Sequence, residues 1–98
     1  MRRSEALVRL HRALPELRRE FGVARAGLFG SVARDEAGPD SDVDIIVEFS
    51  TVPNFGGFAA LRTRLEEVMG RPVDLATADS LHQLVRRRAL TESIYADA

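Results

Sequence analysis

Two aspartates in the middle of the chain have the residue type and the spacing of a metal site. Asp42 and Asp44 are two positions apart in a segment that alternates like a strand, so their carboxylates are expected on the same face. Carboxylates this close repel each other, and a hard divalent cation such as Mg²⁺ would offset that repulsion. The spacing alone leaves two interpretations open: a Mg²⁺ site, or an exposed strand face that carries two aspartates by chance.

A glycine-serine pair precedes these aspartates and is typical of a turn that binds phosphate. Gly30 and Ser31 lie where an apolar, strand-like segment gives way to a short helical one, and backbone N–H groups are unpaired at such a junction. Glycine lets the backbone approach a ligand closely, and the serine hydroxyl adds a donor. Taken alone, a glycine-serine pair after a strand usually marks an ordinary turn.

Arg34 follows Ser31 by nearly one helical turn, which gives its guanidinium the reach to clamp a phosphate. An ion pair with a neighbouring carboxylate would explain this arginine equally well. The neighbouring carboxylates are those of Asp35, Glu36 and Asp40.

The elements that must position these residues follow from the pattern of apolar side chains. Residues between Ser4 and Gly22 have the apolar stripe of a helix, which Ser4 could cap and Gly22 could end, and Pro15 predicts a kink there or a second short helix. The later patterns predict strand 23–29, a helical turn at 32–37, a turn at 38–41, strand 42–49, helix 58–69, strand 72–76, helix 80–90, and a tail at 91–98 that either adds a strand or packs. This order predicts one domain over 1–98 of the α/β or α+β class, in which helices flank a small mixed sheet.

Composition excludes several classes of function. The chain has no cysteine, which rules out disulfides and thiolate sites, and its net charge of −1 gives no basic surface for direct nucleic-acid binding. All 14 basic residues are arginines, so no lysine can act as a base or nucleophile. The run 86–88 of three arginines is either a solvated helix end or a grip on a partner or RNA. We expect a cytoplasmic protein without a membrane span, and leave open whether it forms a homo-oligomer.

Three segments together resemble a known family. Residues 28–34 (LFGSVAR) and 41–47 (SDVDIIV) resemble the glycine-serine and Asp-x-Asp motifs of the DNA polymerase β-like nucleotidyltransferases, and in particular the minimal nucleotidyltransferase (MNT) group. Residues 65–75 (LEEVMGRPVDL) are similar to that group's approach to a third carboxylate, here Asp74. The resemblance implies the polymerase β-like fold and two Mg²⁺ ions, replaceable by Mn²⁺. The residues implied to bind them are Asp42, Asp44 and Asp74, with Gly30, Ser31 and Arg34 for the triphosphate of ATP.

The resemblance also implies an activity and a partner. MNT proteins are commonly paired with a HEPN-domain ribonuclease toxin, so we expect AMP transfer from ATP to a hydroxyl, on a tyrosine of that partner, by which the chain acts as an antitoxin. Phe55, Phe58, Arg86 and Tyr95 are candidate contacts, although the two phenylalanines could instead stack on a base or pack in the core. Two alternatives remain: a family member that neutralises its partner by binding alone, or a transferase acting on a small molecule such as an aminoglycoside.

Overall fold

A four-stranded mixed sheet with helices on one face makes up the described part of the chain. The computed structural model describes residues 1–38, 41–77 and 94–96. Its elements are α1 (Arg3–Phe21), β1 (Val23–Phe29), α2 (Gly30–Ala33), β2 (Val43–Phe49), α3 (Phe55–Met69), β3 (Val73–Thr77) and β4 (Ile94–Tyr95). The strand order is β3-β2-β1-β4, with β2 and β3 parallel and the other two pairs antiparallel. The predicted fold class is confirmed.

The core lies between the sheet and helices α1 and α3. Strand β2 turns Val43, Ile45 and Val47 towards it, and all three are fully buried. The helices contribute the apolar stripes expected from their spacing, namely Leu10, Leu14 and Leu17 of α1 with Leu61, Leu65 and Met69 of α3. Because side chains alternate along a strand, this packing leaves Asp44 and Glu48 on the opposite face of the sheet.

The first helix excludes one of the two alternatives predicted for Pro15, and its predicted cap is wrong. It runs without interruption from Arg3 to Phe21, so no second helix begins at Pro15, which is exposed inside it. Ser4 does not cap it, because Arg2 occupies the N-cap position and provides no side-chain hydrogen bond. Burial of one whole face of the helix stabilises it against the cost of the proline. The predicted end at Gly22 is confirmed by that residue's left-handed conformation.

Other boundaries moved by a few residues. Strand β1 has the predicted limits, whereas β2 begins at Val43, one residue later than predicted. Helix α3 begins at Phe55, three residues early, because the Asn54 side chain caps it by accepting a 2.7 Å hydrogen bond from the Gly57 N–H. The tail adds the short strand β4, which was one of the two alternatives predicted for it. The predicted helix 80–90 and residues Pro39 and Asp40 of the predicted turn lie outside the described residues.

None of the helices in the described part of the chain has the length and hydropathy needed to cross a bilayer.

Strand β1 contains an irregularity, since Val23 pairs with Phe49 while Arg25 pairs with Glu48. This bulge lets Val23 and Ala26 both face the core although they are three positions apart.

Candidate active site

The three aspartates singled out from the sequence lie at one edge of the sheet. Because β2 and β3 are parallel and in register, Asp44 and Asp74 are directly paired neighbours. Asp42 comes one residue before β2, two positions from Asp44, and is therefore directed to the same face. Asp42 and Asp74 are exposed, and Asp44 is half-buried. The fold thus gathers two residues from one motif and a third from about thirty positions further along the chain.

The charges of these carboxylates act on one another. The pKa of Asp44 is raised above its ordinary value of 3.8, first by burial and then by the negative charges of Asp74 and Asp42. The positive charge of Arg34 partly offsets this by lowering the pKa. Asp44 is therefore the residue at which all the site's charges act.

Gly30 is packed directly against Asp44. It has a φ of +69°, which a residue with a side chain rarely adopts, and a Cβ atom placed there would lie 2.2 Å from the Oδ2 atom of Asp44. The sequence predicted a glycine that admits phosphate. The structure adds a second requirement that no spacing rule reveals, since any side chain at position 30 would displace the Asp44 carboxylate.

The Ser31 hydroxyl is available to a ligand. This residue is half-buried at the start of α2, and its side chain makes no hydrogen bond within the described part of the chain. Its backbone carbonyl accepts a 2.8 Å hydrogen bond from the Glu36 N–H, which holds the peptide in place. The position is compatible with a donor to a bound phosphate.

Arg34 has features of both of its proposed roles. Its Nε atom donates to Oε2 of Glu36 at 3.1 Å, which is one of the ion pairs considered from the sequence. The same guanidinium lies close enough to Asp44 to affect its pKa. An exposed ion pair of this kind contributes little energy, so a triphosphate could compete for the arginine.

The donor set suits a hard divalent cation. Carboxylate oxygens are the ligands that Mg²⁺ prefers, and the three aspartates that carry them lie at the same end of β2 and β3. As they stand, no three or more acidic, histidine or cysteine side chains among the described residues are arranged closely enough to hold an ion. Mutual repulsion favours such an open arrangement, and a cation between the carboxylates would reverse it.

The other candidate residues either lie away from the aspartates or fall outside the described part of the chain. The ring of Phe58 lies 6.4 Å from that of Phe49, at the end of β2 opposite to Asp44, so it packs against the sheet and is not placed to stack on a base at this site. A cavity of about 500 Å³ lies at that same far end, lined by residues such as Gly22, Thr51 and Asn54. The side chains of Phe55 and Tyr95, and the run 86–88, lie outside the described residues.

The chain is similar to known nucleotidyltransferases in sequence and in fold. The family model described as "Nucleotidyltransferase domain" matches residues 10–96. The chain is 41% identical over 91 residues to "Protein adenylyltransferase MntA" of Thermococcus cleftensis, covering 93% of this chain and 90% of that protein. The chain is also similar to a solved structure that is named as a proposed minimal nucleotidyltransferase. The TM-score is 0.79 and the identity 35%, with 96% of this chain and 95% of that chain covered.

A complex of tri-AMPylated Shewanella oneidensis HEPN toxin with MNT antitoxin also contains a similar chain. The TM-score is 0.69 and the identity 18%, with 95% of this chain and 72% of that chain covered. At this identity the likeness concerns the fold alone.

Proposed function

The chain belongs to the nucleotidyltransferase domain family, and from that premise we propose that it is a Mg²⁺-dependent protein adenylyltransferase that moves AMP from ATP to a tyrosine hydroxyl of a HEPN-type toxin, as its antitoxin. Nucleotidyl transfer itself is the activity of the family. The donor, the metal and the acceptor are what the proposal adds.

One observation carries the proposal: the direct packing of Gly30 against a carboxylate that two further aspartates surround. It joins the predicted phosphate-binding turn and the predicted metal site into a single feature. A triphosphate bound at Gly30 and Ser31 would therefore lie beside the carboxylates. An exposed face with two chance aspartates would not require a glycine at this point.

The residues present fit Mg²⁺ bound by Asp42, Asp44 and Asp74. When bound, the ion would neutralise these carboxylates and supply Lewis-acid stabilisation of the charge on the phosphates. Mn²⁺ has the same preference for oxygen ligands and should replace it.

The chain's own residues would bind and orient the reactants. Gly30 gives the triphosphate close access to the backbone, the Ser31 hydroxyl donates to it, and Arg34 adds positive charge. In an in-line displacement the acceptor oxygen bonds to the α-phosphorus while the bond to the β-phosphate oxygen breaks and pyrophosphate leaves. Asp74 is exposed near the start of β3, and we propose that it takes the proton of the attacking hydroxyl.

The acceptor is proposed to reside on another macromolecule. Two of the three carboxylates are exposed, and the cavity near Gly22 lies at the opposite end of the sheet. Correct placement of the attacking hydroxyl provides much of the rate of such transfers, so a docking protein must provide that placement. The names of the similar adenylyltransferase and of the toxin–antitoxin complex support a HEPN protein in this role.

Co-expression with the product of the neighbouring open reading frame tests the proposal. Incubation of the pair with ATP and Mg²⁺ should add about 329 Da per AMP group to the partner, and tandem mass spectrometry should place it on a tyrosine. EDTA should abolish the gain, and Mn²⁺ should restore it.

The same experiment separates the alternatives. A partner that co-purifies and is neutralised without any mass gain would contradict the transferase proposal and favour inhibition by binding alone. Modification of an added aminoglycoside, with the protein partner unmodified, would contradict the proposed acceptor while leaving the nucleotidyltransferase assignment in place.

A further inference from the structure

Asp35 has a backbone conformation that is unusual for its residue type. Its φ is +59°, and it is the only non-glycine residue with a positive φ in the part of the chain that the structure describes. This left-handed region is normally occupied by glycine, with aspartate and asparagine as occasional substitutes. A residue keeps such a conformation when the surrounding structure requires it, either for its backbone or for its side chain.

The backbone requirement is the end of α2. The Glu36 N–H donates to the Ser31 carbonyl at 2.8 Å and the Asp35 N–H donates to the Val32 carbonyl at 3.0 Å, which are the two hydrogen bonds of a Schellman motif with Asp35 at the left-handed position. The motif holds the peptide of Ser31 through its carbonyl. Asp35 therefore helps to determine the geometry of the segment from Gly30 to Arg34. This segment, the nucleotide-binding loop, consists of the single turn α2 and its C-cap residue.

A glycine would close α2 in the same way, so the aspartate side chain must have a separate role. Its Oδ1 atom accepts a 3.0 Å hydrogen bond from the backbone N–H of Arg3, at the start of α1. The N-cap residue of α1, Arg2, gives no side-chain cap, so Asp35 supplies that cap from 32 positions away and places a negative charge at the positive helix end. Arg3 also reaches back, with its Nη1 atom 3.4 Å from the carbonyl of Ala33.

We infer that Asp35 is a positioning residue, which fastens the nucleotide-binding loop from Gly30 to Arg34 to the start of α1. The inference rests on the proposed function, because it assumes that this loop binds the triphosphate of ATP. Helix α1 is held by the core through Leu10 and Leu14, so it serves as a rigid support. A loop fastened to it is ordered before the nucleotide arrives, and binding then has less conformational entropy to remove.

Three substitutions separate the backbone role from the side-chain role. Asp35→Gly adopts the left-handed conformation without strain but lacks the acceptor, whereas Asp35→Asn tolerates the conformation and keeps an acceptor oxygen. Ser50→Ala is a matched control, because it removes a single hydrogen bond, from the Ser50 hydroxyl to the Gly22 carbonyl, at the opposite end of the sheet.

Titration calorimetry with a non-hydrolysable ATP analogue and Mg²⁺ is the measurement, with melting temperatures recorded for every variant. We expect the Kd of Asp35→Gly to rise at least about fivefold, and those of Asp35→Asn and Ser50→Ala to stay within about twofold of the unmodified chain. A merely structural residue would change the melting temperature and leave the Kd of the folded protein unaltered.

Two results would overturn the inference: an unchanged Kd in Asp35→Gly, or an Asp35→Asn variant as weak as Asp35→Gly. Either one leaves the proposed function intact, provided that the unmodified chain binds the analogue. Absence of binding by the unmodified chain would contradict the proposed function and the inference together.

Discussion

Single residues in the site have roles that combine sterics with charge. The close approach of Gly30 to Asp44 links the phosphate-binding turn to the carboxylates, and the burial of Asp44 beside two other aspartates makes its ionised form costly in the metal-free protein. Each of these contacts leads to a prediction for a conservative substitution.

Asp44→Asn should abolish transfer while the protein stays folded. Mutation of a residue that only hydrogen-bonds to a metal ligand typically lowers activity by about 10–100-fold. Asp44 is proposed to bind the metal directly, so we expect the transfer rate to fall by more than about 100-fold. Glu48→Gln is the matched control, since Glu48 lies on the same face of β2 and forms an ion pair with the exposed Arg25. Full activity of Asp44→Asn would rule out the metal assignment.

The stability of the metal-free protein should depend on pH through Asp44. Because its pKa is raised in the folded state, the folded chain holds this proton more tightly than the unfolded chain does. The resulting stabilisation is complete below 3.8, the ordinary value, and is lost as the pH rises through the raised pKa. The melting temperature of Asp44→Asn, measured in EDTA, should therefore equal that of the unmodified chain at low pH and exceed it at neutral pH. A variant that melts lower at neutral pH would contradict this.

Gly30→Ala and Gly70→Ala form a matched pair. Both glycines have a φ of +69°, so alanine at either position should cost about 1–2 kcal/mol of backbone strain. Only the alanine at position 30 meets Asp44, because the nearest atom to a Cβ at position 70 is Nη1 of Arg9, at an ordinary 3.6 Å. Measured where both variants are folded, transfer should fall about 100-fold in Gly30→Ala and stay near normal in Gly70→Ala. Equal losses in the two would show that strain alone is responsible.

At the scale of whole elements, helices α1 and α3 are joined by Arg64. This half-buried arginine of α3 makes ion pairs with Glu16 and Glu20 of α1 and with Glu67 of its own helix, and its guanidinium carbon lies 5.6 Å from the centre of the Phe21 ring. The pairing of two helices through one shared cation complements their apolar contacts and fixes their relative position.

Arg64→Ala should therefore lower the free energy of unfolding by about 1–2 kcal/mol, because several charge contacts and a cation–π contact are lost together. Arg62→Ala is the control, since it removes one exposed pair with Glu66 at 4.0 Å and should cost less than about 0.5 kcal/mol. Urea unfolding at low and high salt measures both values, and salt should reduce the difference between them. A cost of Arg64→Ala no larger than that of Arg62→Ala would contradict the proposed role.

For the molecule as a whole, the small size of the chain makes its melting temperature sensitive to bound ligands. A chain of 98 residues unfolds with a small entropy change, so each kcal/mol of binding energy shifts the melting temperature by about 4–8 °C. ATP at about 100 times its Kd adds about 2.7 kcal/mol. The melting temperature should consequently rise by about 10 °C or more with ATP and Mg²⁺ together.

The shift should be much smaller with ATP and EDTA, or with Asp42→Asn in place of the unmodified chain. A similar shift with and without Mg²⁺ would show that nucleotide binding does not need the metal. The comparison uses the isolated chain, so it tests the nucleotide site separately from the partner.

Much of the architecture could be predicted because it depends on short-range patterns. Alternation predicted the strand that contains Asp44, and the apolar stripe that includes Leu10 and Leu17 predicted α1. Such signals come from backbone geometry within a few residues, and a sequence displays them directly. The roles of Gly30, Ser31, Asp42 and Asp44 followed from residue type and spacing together with the family resemblance, and they remain predictions.

Only the tertiary structure decided which distant residues meet. The pairing of Asp74 with Asp44 depends on the parallel register of β2 and β3, and the cap that Asp35 provides for Arg3 joins residues 32 positions apart. Helix α1 continues past Pro15 because one face of the helix is buried against the rest of the protein, and the residues next to the proline do not by themselves produce that burial. These features arise when separate elements pack together. The energy of that packing outweighs local propensity, and it cannot be read from any short segment of the sequence.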